Sequence, residues 1–94
     1  MTSQVNAILI HESDNVVTTL VEIPAGECAR YRVQEEIVEI VARETIPAFH
    51  KIALKNIPKM DPVRKYGEIM GQAIVDIRTG DHVHEHNIVS PGRA

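Results

Sequence analysis

Tryptophan is absent from this 94-residue sequence, phenylalanine occurs once and tyrosine twice, so aromatics make up only 3% of it. Valine, isoleucine, leucine and alanine must therefore build the core, for which 44% hydrophobic content is sufficient. The chain has the length of one small domain, at the low end of sizes that fold unaided. A basic excess is missing too: 10 Lys and Arg face 13 Asp and Glu, for a net charge of -3. Without a positive field or aromatics to stack on bases, nucleic acid is excluded as an expected partner. Cys28 is the sole cysteine, which rules out an intramolecular disulfide framework and suits a reducing cytoplasm. Ala7 to Ile10 is too short and lacks the basic flank of a secretory leader, and no run approaches a membrane span. Gly-rich phosphate loops and the G-x-S-x-G, C-x-x-C and H-E-x-x-H patterns are all lacking, which leaves little support for Ser or Cys nucleophiles.

What is present is a string of short β signals. Ala7 to Ile10, Val16 to Ile23, Cys28 to Val33 and Ile37 to Val41 are apolar or β-branched runs of strand length, separated by polar turns. Prolines 24, 47, 58 and 62 break any long helix. Lys65 to Met70 is the one helical candidate, with Gln72 to Ile77 following as a strand and residues 89–94 as a frayed tail.

One phrase recurs four times: Glu22-Ile23-Pro24-Ala25-Gly26-Glu27, Thr45-Ile46-Pro47-Ala48-Phe49-His50, Asn56-Ile57-Pro58-Lys59-Met60-Asp61 and Asp76-Ile77-Arg78-Thr79-Gly80-Asp81. Each isoleucine should anchor a strand end, the proline should open a turn, and a returning strand should follow. The spacings between the isoleucines (23, 11 and 20) are uneven, so the phrase marks four similar corners of one β domain and no solenoid.

The densest chemistry lies in Thr79-Gly80-Asp81-His82-Val83-His84-Glu85-His86-Asn87, which holds three of the five histidines at i, i+2 and i+4. On an extended strand His82, His84 and His86 would line one face, with Val83 and Glu85 on the other. Neutral imidazole is a common metal ligand and a general acid or base near neutral pH. Further polar groups stand at other strand ends: His11 beside Asp14 and Asn15, His50-Lys51 after a proline turn, and Lys65-Tyr66-Gly67. Corner loops converge in compact β domains, so these groups are candidates for a shared rim.

Taken in order, His11-x-x-Asp14-Asn15-Val16, Ile23-Pro24-Ala25-Gly26, Ile46-Pro47-x-x-His50-Lys51-Ile52-Ala53, Lys65-Tyr66-Gly67-Glu68-x-Met70-Gly71-x-Ala73 and Asp76-Ile77-x-x-Gly80-x-x-Val83-His84-x-His86-Asn87 resemble the N-terminal SAF-type domain of the altronate/galactarate dehydratase family. The resemblance runs from about Ala7 to Ile88. It implies an all-β fold of the β-clip type, similar to type III antifreeze domains. It also implies hydro-lyase chemistry on sugar acids or related hydroxyacids, dependent on a divalent ion, Fe²⁺ or Mn²⁺. By the same resemblance His84 and His86 are metal ligands, and His11, His50 and His86 are catalytic candidates. Lys51 would anchor a carboxylate, with Asp14, Asn15, Tyr66 and Asn87 as further substrate contacts.

Two departures accompany the match. Phe49 and Met60 stand where the family usually has glycine, adding bulk at corners. The large dehydratase domain lies outside this sequence, so the chain resembles the small subunit of two-subunit members such as sulfolactate sulfo-lyase. A large dehydratase subunit is the expected partner, and self-association is a second possibility. Phe49, Met60, Ile69 and Met70 are the bulky residues expected on the contact face. The competing expectations are a non-catalytic module that holds a metal or small anion, and a purely structural subunit.

Overall fold

A computed structural model describes residues 4–90. Within them the chain is all β, with nine strands and no helix. The strands are β1 (Ala7–Ile8), β2 (Val16–Thr19), β3 (Cys28–Val33), β4 (Glu36–Val41), β5 (Lys51–Ala53), β6 (Pro62–Lys65), β7 (Glu68–Ala73), β8 (His82–Val83) and β9 (Ile88–Val89). They form a central sheet in the order β1-β2-β5-β8, a β3-β4 hairpin and a β6-β7-β9 sheet, with every pairing antiparallel.

The central sheet separates two cores. Residues opposite one another on antiparallel strands share a face, and successive residues alternate. Val17 lies opposite Ile52, and both belong to a core with Ile23, Ala29, Tyr31, Ile40 and Ile46. Val16 lies opposite Ala53, and these belong to a second core with Ile57, Val63, Ala73, Ile77 and Val83. Each core is closed by its own hairpin. Such short strands suffice because both faces of the central sheet are buried.

The four recurring phrases are four copies of one turn. Gly26, Phe49, Met60 and Gly80 all have positive φ (90°, 66°, 82° and 94°). In each corner the next residue's N–H donates to the carbonyl three residues back, at 2.9–3.3 Å: Glu27 to Pro24, His50 to Pro47, Asp61 to Pro58 and Asp81 to Arg78. Positive φ at the third position is the signature of a type II turn. The isoleucines pair in twos through reciprocal backbone bonds, Ile23 with Ile46 and Ile57 with Ile77, and all four are buried. The polar residue before the isoleucine also has a task. Asp76 accepts from the Lys59 N–H and Asn56 from the Thr79 N–H, each capping the partner corner.

Three expectations need correction. Lys65 to Met70 is no helix: Tyr66 and Gly67 (φ 60° and 77°) form a two-residue hairpin turn between β6 and β7, where two successive positive φ values match the strand twist. The strand expected over Gln72 to Ile77 begins at Glu68 and ends at Ala73, beyond which Ile74 and Val75 are exposed and Ile77 keeps only an isolated bridge. The tail expected over 89–94 starts too early, since Val89 pairs with Gln72 in β9. Residues 91–94 lie outside the described residues. No helix among the described residues is long and apolar enough to cross a membrane.

Candidate functional site

The histidine stretch is a strand for two residues only. After His82–Val83 the chain turns, and Asn87 holds that turn closed. The Asn87 amide donates to the His82 carbonyl at 2.8 Å and its side-chain oxygen accepts from the His84 N–H at 2.9 Å. Its backbone N–H also donates to the His84 carbonyl at 3.0 Å. Strand alternation therefore does not align His82, His84 and His86; a turn folds them back on one another. The rings of His82 and His84 stack at 5.4 Å and 11°, and His86 tilts against His82 at 5.4 Å.

His50 joins this group from the second corner. Its backbone N–H donates to the Thr19 hydroxyl at 3.2 Å, and that hydroxyl in turn donates to the Pro47 carbonyl at 2.8 Å. So anchored, the His50 ring stacks on His84 at 4.5 Å and 22°. Its Nδ1 lies 2.8 Å from Nε2 of His82, a hydrogen bond in which one nitrogen carries the proton. Glu44 steadies the other side, its carboxylate accepting from the His82 N–H at 3.1 Å.

One ring nitrogen from each of His50, His82 and His84 lies within 4.8 Å of the others, and all three residues are half-buried. This is the group among the described residues that could hold a metal ion. His86, expected as a ligand with His84, lies outside this trio on an exposed edge. His82 and His50, which the sequence reading did not include among the metal-binding candidates, enter this group through the fold, because β8 pairs with β5 directly after the His50 corner. Burial, then the neighbouring His84 and Lys51, hold His50 below the ordinary imidazole range. Burial, then His50 and His86, do the same for His82 against the opposing charge of Glu44. Both rings therefore take up a proton less readily than free imidazole, and an ion bound by both through these nitrogens would replace the hydrogen bond between them.

His11, Asp14, Asn15 and Tyr66 gather elsewhere, at the β6–β7 turn. Asp14 is 2% exposed, and its carboxylate accepts from three backbone N–H groups: His11 at 3.1 Å, Tyr66 at 2.9 Å and Gly67 at 2.8 Å. Asn15 donates to the Pro62 carbonyl at 3.0 Å and accepts from the Arg64 N–H at 2.8 Å. These partners are all backbone groups, so Asp14 and Asn15 tie β6 to the loop before β2. Asn87 is bonded in the same manner and positions the histidines. The His11 ring lies against Gly67, where an added Cβ would meet it at 3.0 Å, and its Nδ1 accepts from the Ser13 N–H. Tyr66 is exposed, with the Lys65 ammonium 4.8 Å from its ring centre.

Lys51 is half-buried, and burial followed by Lys65 lowers its pKa. The β5–β8 register sets it opposite Val83, while His82 lies opposite Ile52. Lys51 and His82 therefore start from opposite faces of the central sheet, joined around its edge by His50. A cleft of about 270 Å³ bounded by Asn56, Pro58, Asp76, Ile77 and Arg78 contains none of these groups.

Comparison with known proteins assigns the chain to a family. The altronate/galactarate dehydratase SAF domain family matches residues 5–91. Altronate dehydratase of Bacillus subtilis is 41% identical over 80 residues, covering 85% of this chain and 15% of that protein. The alpha subunit of (2R)-sulfolactate sulfo-lyase from Chromohalobacter salexigens is 30% identical over 84 residues, covering 85% of this chain and 89% of that one. Galactarate dehydratase (L-threo-forming) of Escherichia coli is 31% identical over 84 residues, 89% of this chain and 15% of the relative. The chain thus spans a small part of the dehydratases and nearly the whole of the sulfo-lyase subunit. With its motifs, its all-β fold and the matched span in agreement, this chain belongs to the altronate/galactarate dehydratase SAF domain family.

Proposed function

We propose that the chain is the small component of a metal-assisted lyase acting on a sugar acid or related hydroxyacid, with its site completed by a large dehydratase chain. The observation that carries this reading is the convergence of His50, His82 and His84 on one point. Their chemistry fits a borderline divalent ion such as Fe²⁺, Mn²⁺ or Zn²⁺ better than Mg²⁺ or Ca²⁺, which prefer oxygen ligands. When bound, the ion would polarise a substrate oxygen and so ease loss of the hydroxyl. Three protein ligands leave a coordination position for substrate, as catalytic sites require and structural four-ligand sites do not. In this reading His86, exposed beside His82, would accept the proton α to the carboxylate. His11, whose ring lies against Gly67 on the far loop, would be a second proton carrier. The paired corners and two cores support the β-clip arrangement, and the lone half-buried Cys28 supports a reducing cytoplasm.

The partner part of this reading rests on the alpha-subunit relative and on Phe49. This ring is 71% exposed, one residue from His50, and held at φ 66° where glycine would be free of strain. A strained, exposed apolar side chain at the rim of an open site marks a contact surface. Met60 is similarly exposed and strained, whereas Met70, expected on the same face, packs against the second core. Phe49→Gly should keep or slightly raise the melting temperature while weakening association with a co-expressed large subunit, read by sedimentation. Unfolding of that variant would return Phe49 to the core.

The metal reading is tested by calorimetric titration of Fe²⁺, Mn²⁺ and Zn²⁺. His50→Ala, His82→Ala and His84→Ala should each abolish saturable binding, and His86→Ala should leave it. Equal titrations of all four variants and wild type would remove the ion from this site. Co-expression with a large subunit, followed by a screen of sugar acids and sulfolactate, tests the activity.

A further inference from the structure

The two halves of the domain are built alike, and they differ at one sheet edge. Asn6 binds the outer side of β3 through three bonds. Its N–H donates to the Arg30 carbonyl at 2.9 Å, its side-chain oxygen accepts from the Arg30 N–H, and its amide donates to the Cys28 carbonyl. Asn15 binds β6 through the same three bonds, to Arg64 twice and to Pro62. At the other end the Gly26 N–H donates to the Ala42 carbonyl, as the Met60 N–H donates to that of Ala73, both at 2.8 Å. The following N–H donates outward in each half, Arg43 to the Gly80 carbonyl and Ile74 to the Asn87 carbonyl. The β3-β4 hairpin is therefore the counterpart of β6-β7, and β4 of β7.

Beyond Asn87 the chain runs on as β9, whose Ile88 and Val89 pair with Ala73 and Gln72 and cover the β7 edge. Beyond Gly80 it departs instead into β8 against β5. Among the described residues β4 has β3 as its one strand neighbour, and no strand lies in the place that corresponds to β9. The register says which groups face that place. Arg30 lies opposite Glu39, and both backbone groups of Arg30 are turned toward Asn6, away from β4. Arg30–Glu39 is thus a non-hydrogen-bonded pair, and by alternation so is Arg32–Ile37. The N–H and C=O of Ile37 and Glu39 consequently point away from β3, to the open side. No bulge, proline or lysine protects this six-residue strand. β1, β8 and β9 have two residues each, and β6 has Asn15 along it.

We propose that the outer edge of β4 receives an antiparallel strand of the large dehydratase chain, in the position that β9 takes beside β7. That occupant rests on the lyase reading; the open edge does not. Glu39 is exposed and forms no ion pair among the described residues, and Val41 on the same face is 57% exposed. The strand that fits carries apolar residues opposite Ile37 and Val41 and a basic one opposite Glu39. A second copy of this chain fits poorly. Antiparallel self-pairing centred on Val38, Glu39 or Ile40 sets the two Glu39 carboxylates opposite or diagonal to one another, which is unfavourable. The added strand ends against Gly80, which abuts the Val41 carbonyl too closely for a Cβ and stands two residues before His82. The large chain is thereby brought to the histidine turn.

Amide hydrogen exchange resolved to single residues, on the free chain and on its complex with a co-expressed large dehydratase chain, tests this. In the free chain Ile37 and Glu39 should exchange fast, and Val38 and Ile40, bonded to β3, slowly. In the complex Ile37 and Glu39 should slow by about tenfold or more. Glu39→Pro is the sharpest variant. It deletes an N–H that β3 does not use, so the chain should stay folded with a melting temperature close to wild type. Association read by sedimentation should nevertheless weaken by about tenfold or more, because the facing carbonyl loses its donor. Glu39→Gln keeps the N–H and should weaken association by about a few-fold at most. Unchanged exchange at Ile37 and Glu39 in a complex that does form, or wild-type association of Glu39→Pro, overturns this proposal and leaves the lyase reading standing. Unfolding of Glu39→Pro overturns it too, since the N–H would then be in use within the chain. Self-association of the free wild type that Glu39→Pro abolishes gives the edge to a second copy and overturns the assigned occupant. A wild type that binds no large chain removes the partner of the lyase reading and this proposal together.

Discussion

Two polar regions of this small domain are built from similar residue types and treated in opposite ways. Around Asp14 and Asn15, every hydrogen bond formed by the side chains goes to a backbone group, and a loop, a strand and a hairpin turn are fastened together. Around His50, His82 and His84 the fastening is delegated to Thr19, Asn87 and Glu44, which bond the backbone beneath the rings. The imidazoles are left to face one another. A buried polar group bonded throughout to backbone stabilises a fold, whereas the ring nitrogens of His50 and His82 bond only each other and can exchange that bond for a ligand. Residue type does not separate the two regions; the direction of the hydrogen bonds does.

Asp14→Ala should break this comparison most severely. Three backbone N–H groups lose a charged acceptor, and a loss of about 3 kcal/mol or more in denaturant unfolding is expected. Retention of wild-type stability would show that the knot is replaceable. Asn87→Ala removes two bonds to the histidine turn and should lose about 1–2 kcal/mol. It should also weaken Zn²⁺ binding without removing any ligand. An unchanged metal affinity would mean that the turn holds itself.

Acid should produce a smaller effect at the histidines. The folded His50 and His82 bind a proton less readily than free imidazole, whose ordinary value is 6.5. The unfolded chain therefore takes up protons first as pH falls. Their contribution to stability is full above about pH 6.5 and is lost as the pH drops through the lower folded values. Urea melts of the metal-free chain from pH 7.5 to pH 5 should show this slope, and His50→Ala/His82→Ala should flatten it. His84→Ala should change stability least, since its side chain is 40% exposed, while still abolishing metal binding.

Much of the frame is legible from the sequence. The four isoleucine phrases identify four corners, because a turn with positive φ at a fixed offset needs the same local pattern each time it is used. Cys28–Val33 is the strand that its alternation suggests. The helix expected over Lys65 to Met70 fails because Tyr66-Gly67 is a turn dipeptide whose first residue is an unusual choice for positive φ. For the site, local spacing singled out His82, His84 and His86 together, and the expectation that His84 and His86 bind a metal came from the family resemblance. That His50 joins His82 and His84 was not legible, since no spacing rule connects a second-corner residue with one 32 positions later.

The sequence by itself determined an all-β chain, its aliphatic core, its corners and its family, since each depends on residue type at short range. The tertiary structure alone decided which polar residues hold the fold and which are held open. That choice follows from the β2-β5-β8 register, which puts Lys51 and His82 on opposite faces and brings His50 within hydrogen-bond distance of His82. Register is a long-range property: a one-residue slip would exchange the two faces and dissolve the histidine group.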